Sequence, residues 1–234
     1  MSRPLVIAID GPSGSGKSSV SKAIARHFGI GYLDTGAMYR AVTVWCQRQG
    51  IDLGDQAAVA AAADDLPLAL GADPNDASVE LDGEDVSEVI RSSAVSAVVS
   101  AVATNLDVRA ILQGQQRALI EAIGEDWGGV VAEGRDITTV VAPDADVRVL
   151  LTASEAARLA RRSTELHGRA DDDTVAATHD EIVRRDRDDA TVSEFQVAAD
   201  GVVTLDTSAL SFAQSVAAVI AVVEARQHNV EDPR

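Results

Sequence analysis

The chain is short of several things that would otherwise decide its class. Cys46 is the only cysteine in 234 residues. No intrachain disulfide can form, which fits a reducing compartment. With no triad-like arrangement around it, Cys46 is expected to be a packed helix residue rather than a nucleophile. Cations are scarce too: 20 Lys and Arg face 37 Asp and Glu, for a net charge of −17. That balance argues against a nucleic-acid or anionic-membrane surface, since both need basic patches. No apolar stretch has the length of a membrane span, because the alanine-rich regions are interrupted by Asp, Gln or Ser. An apolar strand pattern begins at Leu5, with no signal peptide before it, and a cytoplasmic protein is expected.

What is present starts with Gly11-Pro12-Ser13-Gly14-Ser15-Gly16-Lys17-Ser18, directly after the apolar run Leu5 to Ile9 and before the helical segment from Ser19 to Phe28. This is the G-x-x-x-x-G-K-[ST] phosphate-binding loop in its strand-loop-helix context. Glycines let successive backbone N–H groups turn inward on phosphate oxygens, and the helix N-terminus adds a positive dipole end. Lys17 reaches the β- and γ-phosphates, and the Ser18 hydroxyl can ligate Mg²⁺. A nucleoside triphosphate site is therefore expected over Gly11 to Ser19. In so acidic a chain, the few cations must be concentrated locally.

Apolar, β-branched runs at Ile30 to Leu33, Val130 to Ala132, Val147 to Leu151 and Val202 to Leu205 predict four further strands, buried and parallel to the first. Strands alternating with helical periods imply an α/β fold with ligands at the carboxyl ends of the strands. Between Leu66 and Leu112 the rhythm breaks. Short strands are predicted at Leu66 to Leu70 and Ser78 to Leu81, with turns over 71–76 and 82–85. Helices follow from Ser92 to Ala103 and from Val108, the second capped by Asn105 or Asp107. A second excursion, 154–189, carries Arg158, Arg161 and Arg162 on one helix face, then a polar hinge over 167–173 with Arg169, then a helix from Val175. It is expected to be a mobile, arginine-bearing lid. The last helix is predicted from Phe212 to His228, with a frayed end from Asn229 to Arg234.

A phosphate loop alone does not separate a kinase from a GTPase switch. Neither an N-K-x-D nor a D-x-x-G motif follows a suitable strand, whereas Asp34-Thr35-Gly36-Ala37-Met38-Tyr39-Arg40 opens the helix after strand two and suits a second anion. Together with Gly83-Glu84-Asp85-Val86-Ser87, Ile90-Arg91, Glu133-Gly134-Arg135-Asp136, Pro143-Asp144-Ala145 and Arg185-Asp186…Asp189, in this order and spacing, the chain resembles the bacterial cytidylate kinase family. The resemblance implies a P-loop kinase fold with a five-stranded parallel sheet. It divides the chain into core segments (1–63, 113–153 and 190–234), an inserted monophosphate-binding lobe (64–112) and a short lid with its following helix (154–189). It also implies transfer of phosphate from ATP, with Mg²⁺, to CMP or dCMP by a monomer that binds neither nucleic acid nor membrane.

Residue by residue, the resemblance gives Arg40 and Arg135 to the acceptor phosphate, Ser100, Arg109 and Asp136 to the cytosine edge, and Arg185 and Asp189 to the sugar hydroxyls. Thr35 and Tyr39 line the same pocket. Lys17, Arg135, Arg158 and Arg162 are the groups expected to act in transfer. Two departures stand out. Where the family places a further arginine and then Ser-Pro-Leu, this chain reads Ala190-Thr191-Val192-Ser193-Glu194-Phe195, leaving Arg187 as the nearby cation to stand in. Thr138 replaces a glycine, and its Cβ is expected to restrict the turn and crowd the ligand. A kinase for another small acceptor such as UMP, and a non-catalytic nucleotide-binding protein of the same fold, remain as alternatives.

Overall fold

The structure is a computed structural model that describes residues 3–168 and 170–231; Arg169 and residues 232–234 lie outside the described residues. β1 (Leu5–Asp10) leads through the glycine loop into α1 (Lys17–Phe28), and β2 (Gly31–Asp34) runs straight into α2 (Thr35–Gln49). After α3 (Gln56–Asp64) come three short strands, β3 (Leu68–Leu70), β4 (Val79–Leu81) and β5 (Glu84–Asp85), and two helices, α4 (Ser93–Ala103) and α5 (Leu106–Trp127). The chain returns with β6 (Gly129–Gly134) and β7 (Val147–Thr152). It leaves again for α6 (Glu155–His167) and α7 (Asp172–Asp189), and closes with β8 (Val203–Asp206) and α8 (Phe212–Glu231).

β2, β6, β1, β7 and β8 lie side by side in that order, all parallel. Alternation along β1 sends Ile7 and Ile9 to one face, against Ile24 of α1 and Val219 and Val223 of α8. Ala8 faces the other way, with Ile120 and Ile123 of α5. Both faces are covered, as parallel sheets require. In register, Asp10 stands beside Gly134 and Asp34 beside Glu133, so the loop after β1, the cap of α2 and the segment after β6 open on one edge.

The last strand departs from expectation. β8 ends the sheet with one neighbour, and Val203 is 41 % exposed, so it is an edge strand rather than a buried one. Residues 82–85 are only partly a turn: Asp82 and Gly83 take positive φ (52° and 78°), and Glu84 and Asp85 pair back onto β4 as a two-residue-turn hairpin. Helix α5 starts at Leu106, with the Asn105 side chain accepting from the Asp107 and Val108 N–H groups, so the cap is Asn105. α8 runs past His228 to Glu231.

Everything between α2 and β6 closes on α2. Met38, Val42 and Cys46 pack with Val59, Val99, Val102 and Leu112, while Ala37, Ala41 and Val44 pack with Val79, Leu81, Val86 and Ile90. Cys46 is buried among these residues, and burial pushes its thiol pKa up. Apolar contact on both flanks fixes α2, and with it the one polar stripe that carries Arg40.

Candidate functional site

The glycine loop is held by close approaches. Gly14 has φ +74°, and a Cβ there would lie 2.6 Å from the Arg158 carbonyl; Gly16, at φ +88°, caps α1 without any side-chain hydrogen bond. With no acidic residue in its first turn, α1 leaves its N-terminal N–H groups to an incoming anion. Lys17 Nζ lies 3.3 Å from Glu133 Oε2, and Tyr32 donates to Glu133 Oε1 at 2.5 Å, so the buried carboxylate at the end of β6 stores the lysine.

Two clefts meet at this lysine. One, about 440 Å³, runs along Pro12 and Gly14 to Ser19 toward Arg161 and Phe212. The other, about 160 Å³, is lined by Asp34, Gly36, Arg40, Glu133, Arg135 and Arg185 among others. Gly14, Lys17, Ser18, Arg91 and Arg162 belong to both. Six of the chain's 20 Lys and Arg line the smaller cleft. Arg40 is held by the Ile90 carbonyl (2.7 Å) and Ser96 Oγ (3.0 Å), and burial together with Arg185 and its other cationic neighbours lowers its pKa to about 9. Arg185 is pushed down likewise, by burial first and then Arg135. Like charges crowded at one edge of an acidic protein favour a bound anion.

The carboxylates of α7 hold this arginine wall. Arg135 Nε lies 2.8 Å from Asp189, its NH1 2.9 Å from Asp186, and its NH2 donates to Ser13 Oγ at 2.9 Å. Arg185 lies 3.6 Å from the same Asp189 oxygen, and the other, Oδ1, is buried without a hydrogen-bond partner. Of the three lid arginines on one face of α6, Arg162 lines both clefts, and Arg158 donates to the Ser13 carbonyl and pairs with Asp186. Arg161 is a tie, bonded to the carbonyls of Ser15 (3.2 Å) and Thr207 (2.6 Å). α7 also reaches α4, where Arg184 donates to the Ala97 carbonyl at 3.1 Å.

Of the expected cytosine-edge group, two members meet. Arg109 NH2 lies 2.6 Å from Asp136 Oδ2, which also accepts from Gln113 at 2.7 Å, and the Tyr39 ring lies 6.0 Å from the Arg109 guanidinium. Burial, and then Asp136, raise the Tyr39 pKa to about 12. The Ser100 hydroxyl makes no hydrogen bond to either partner; its carbonyl accepts from Thr104. Thr35 is buried and donates to the Glu133 carbonyl at 2.7 Å.

Both departures resolve differently from expectation. Thr138 is buried, pointing away from the clefts: its hydroxyl and N–H donate to Asp10 Oδ2 at 2.6 and 2.8 Å, and the Ile137 N–H reaches Asp10 Oδ1 at 3.0 Å. Thr138 lines neither cleft; it sits in a π-helical turn, Ile137–Val141, that Asp10 fastens to β1. Arg187 does not stand in for the missing arginine, because its side chain is 78 % exposed. In the same segment Phe195 is wholly buried, with the Arg135 guanidinium 4.2 Å from its ring centre. Glu133, Asp186, Asp10, Arg91 and Gln113 join the site although sequence pattern alone gives them no role. Glu133, Asp186 and Arg91 lie inside the family-like motifs and Asp10 directly before the phosphate loop, but the place of each depends on partners distant in sequence.

Comparison with known proteins agrees with this geometry. The cytidylate kinase family model matches residues 7–225. Curated proteins named cytidylate kinase align along nearly the whole chain. That of Streptomyces coelicolor is 46 % identical over 95 % of this chain and 94 % of its own, and that of Cutibacterium acnes 49 % over 94 % and 96 %. The Lactiplantibacillus plantarum protein is 41 % identical over 95 % and 96 %. A family match that spans the phosphate loop, the arginine wall and both α6 and α7 leaves one assignment: the chain belongs to the cytidylate kinase family.

Proposed function

We propose that this protein transfers the γ-phosphoryl group of ATP to CMP and dCMP. The observation that carries this reading is the pair of clefts joined at Lys17 and Ser18, one running along the phosphate loop and one facing an arginine wall. A donor triphosphate and an acceptor phosphate placed in them would meet at the lysine.

Phosphoryl transfer passes through a loose transition state with charge spread over the moving group, so alignment and neutralisation suffice and no covalent intermediate is needed. The loop N–H groups and Lys17 bind the donor phosphates; Glu133 hands the lysine over when a stronger anion arrives. Arg40, Arg135 and Arg185 take the acceptor phosphate and its ester, and Arg162 spans both clefts. Asp189 Oδ1, a buried acceptor without a donor, suits a sugar hydroxyl. Asp136 accepts from the exocyclic amine of cytosine, and Arg109 donates to the ring acceptors. The segment 64–112 acts as the acceptor lobe and 154–189 as the lid, whose α7–α4 contact excludes water that would otherwise take the phosphoryl group.

Mg²⁺ fits the donor set. The Ser18 hydroxyl and the carboxylates of Asp34 and Glu133 line the same cleft. Among the described residues, no closer cluster of three or more carboxylate, His or Cys ligands would hold an ion alone. Such a site would take an ion held largely by phosphate oxygens and water, and the ion would supply charge neutralisation to the transferred phosphoryl group.

The test is ADP release from ATP·Mg²⁺ with CMP, dCMP, UMP, AMP, GMP or no acceptor. Turnover confined to CMP and dCMP is the expected result. Equal turnover of UMP would make it a general pyrimidine kinase, and no turnover by protein that binds ATP would make it a non-catalytic relative.

A further inference from the structure

We propose that Asp186 is a positioning residue for phosphoryl transfer, joining the phosphate loop and two arginines into one unit. The proposal rests on the phosphotransfer reading above and assigns a role to a side chain that lines neither cleft.

The carboxylate is 5 % exposed and collects three donors. Oδ1 accepts from the Ser13 N–H at 3.2 Å and from Arg135 NH1 at 2.9 Å, and Oδ2 accepts from Arg158 NH1. The figure closes on itself at Ser13. Its N–H is bound to Asp186, its carbonyl accepts from Arg158 at 3.0 Å, and its hydroxyl accepts from Arg135 at 2.9 Å. Every polar group of this loop residue is therefore set by the lid helices and the segment after β6. In sequence these contacts span 173, 51 and 28 residues, so nothing local holds them together.

The arrangement does more than neutralise buried cations. A guanidinium has five N–H donors. Arg135 gives one N–H of NH1 to Asp186 and one of NH2 to Ser13, its Nε pairs with Asp189, and its flat face rests on Phe195. The second N–H of each terminal nitrogen remains, on a group that lines the acceptor cleft. A planar cation held at all three nitrogens and on one face keeps a single orientation, as a bidentate phosphate contact requires. Asp186 is the one member of this set that also grips Arg158 and the loop N–H. A displacement of its carboxylate would therefore shift both arginines relative to the donor phosphates.

The experiment compares Asp186→Asn, Asp186→Glu, Arg158→Ala and the double variant Asp186→Asn/Arg158→Ala in steady-state assays with ATP·Mg²⁺ and CMP. Thermal unfolding is followed in parallel. The parent enzyme's turnover of CMP checks the underlying reading separately. Asp186→Glu keeps the charge but moves it by about one methylene, so kcat should fall ~10- to 100-fold with the ATP KM changed less than about threefold. A merely structural counter-charge would be rescued by Glu. Asp186→Asn should lose as much or more in kcat, and adding Arg158→Ala should cost far less than its effect alone, because the two act through one contact. If Asp186→Asn does not fold, Asp186→Glu decides. Parent-like kcat in folded Asp186→Glu, or multiplicative losses in the double variant, would overturn the proposal.

Discussion

The phosphate loop and the arginine wall both gather groups suited to an anion, yet they are built in opposite ways. The loop is eight consecutive residues, Gly11 to Ser18, whose free N–H groups are aimed by backbone conformation (Pro12 has none and that of Ser13 is bound to Asp186), with Gly14 and Gly16 at positive φ and a helix N-terminus behind them. The wall takes Arg40 from α2, Arg135 from after β6, Arg162 from α6 and Arg185 from α7, and it depends on carboxylates to hold like charges together. A site made of backbone fails all at once when one group is lost. A site made of side chains from four segments has shared support, so single losses should be graded.

The sharpest test of that contrast is Lys17→Ala. Removing the loop's only mobile cation should lower kcat by on the order of 10³-fold in a steady-state assay. The fold should persist, because Glu133 keeps its bond from Tyr32. Residual turnover above about a tenth of the parent's would place Lys17 with the graded contributors.

Asp136→Asn comes next. It swaps an acceptor for a donor opposite the base while leaving Arg109 in place, so CMP-over-UMP selectivity in kcat/KM should fall ~10- to 100-fold. Equal losses for the two acceptors would remove Asp136 from base reading.

Phe195→Leu tests the support of the wall. It keeps an apolar contact but removes the ring under Arg135, and the KM for CMP should rise about two- to fivefold, as loss of ~0.5–1 kcal/mol of cation–π attraction predicts. A rise as steep as the loop variant's loss would erase the graded behaviour.

Thr138→Gly should touch turnover least and stability most. Asp10 already has its pKa raised by burial, and the Thr138 bonds oppose that rise. Removing the hydroxyl raises the pKa further. A carboxyl whose folded pKa lies above its unfolded value gives stability present below the ordinary 3.8 and lost as pH rises through the folded value. The variant's deficit, about 1–2 kcal/mol, should therefore be seen in denaturant unfolding at pH 7 and shrink toward pH 4. A deficit independent of pH would detach Thr138 from Asp10.

The sequence by itself determined what depends on neighbours in the chain. The phosphate loop, the Asp34 cap of α2, the continuous apolar runs of the parallel strands and the i, i+4 placement of Arg185 and Asp189 are local, because backbone conformation and helix spacing are set within a few residues. The edge exposure of β8, by contrast, follows from its place in the sheet order. That Thr138 bonds to Asp10, and that Phe195 rather than Arg187 lies against Arg135, turned on which side chains the fold brings within hydrogen-bonding or stacking distance. Asp186 shows this most plainly: in the sequence it is one acid in an acidic helix. Only the packing of α6, α7, the phosphate loop and the segment after β6 puts three donors on its two oxygens, because buried charge is placed by its partners and not by its neighbours in the chain.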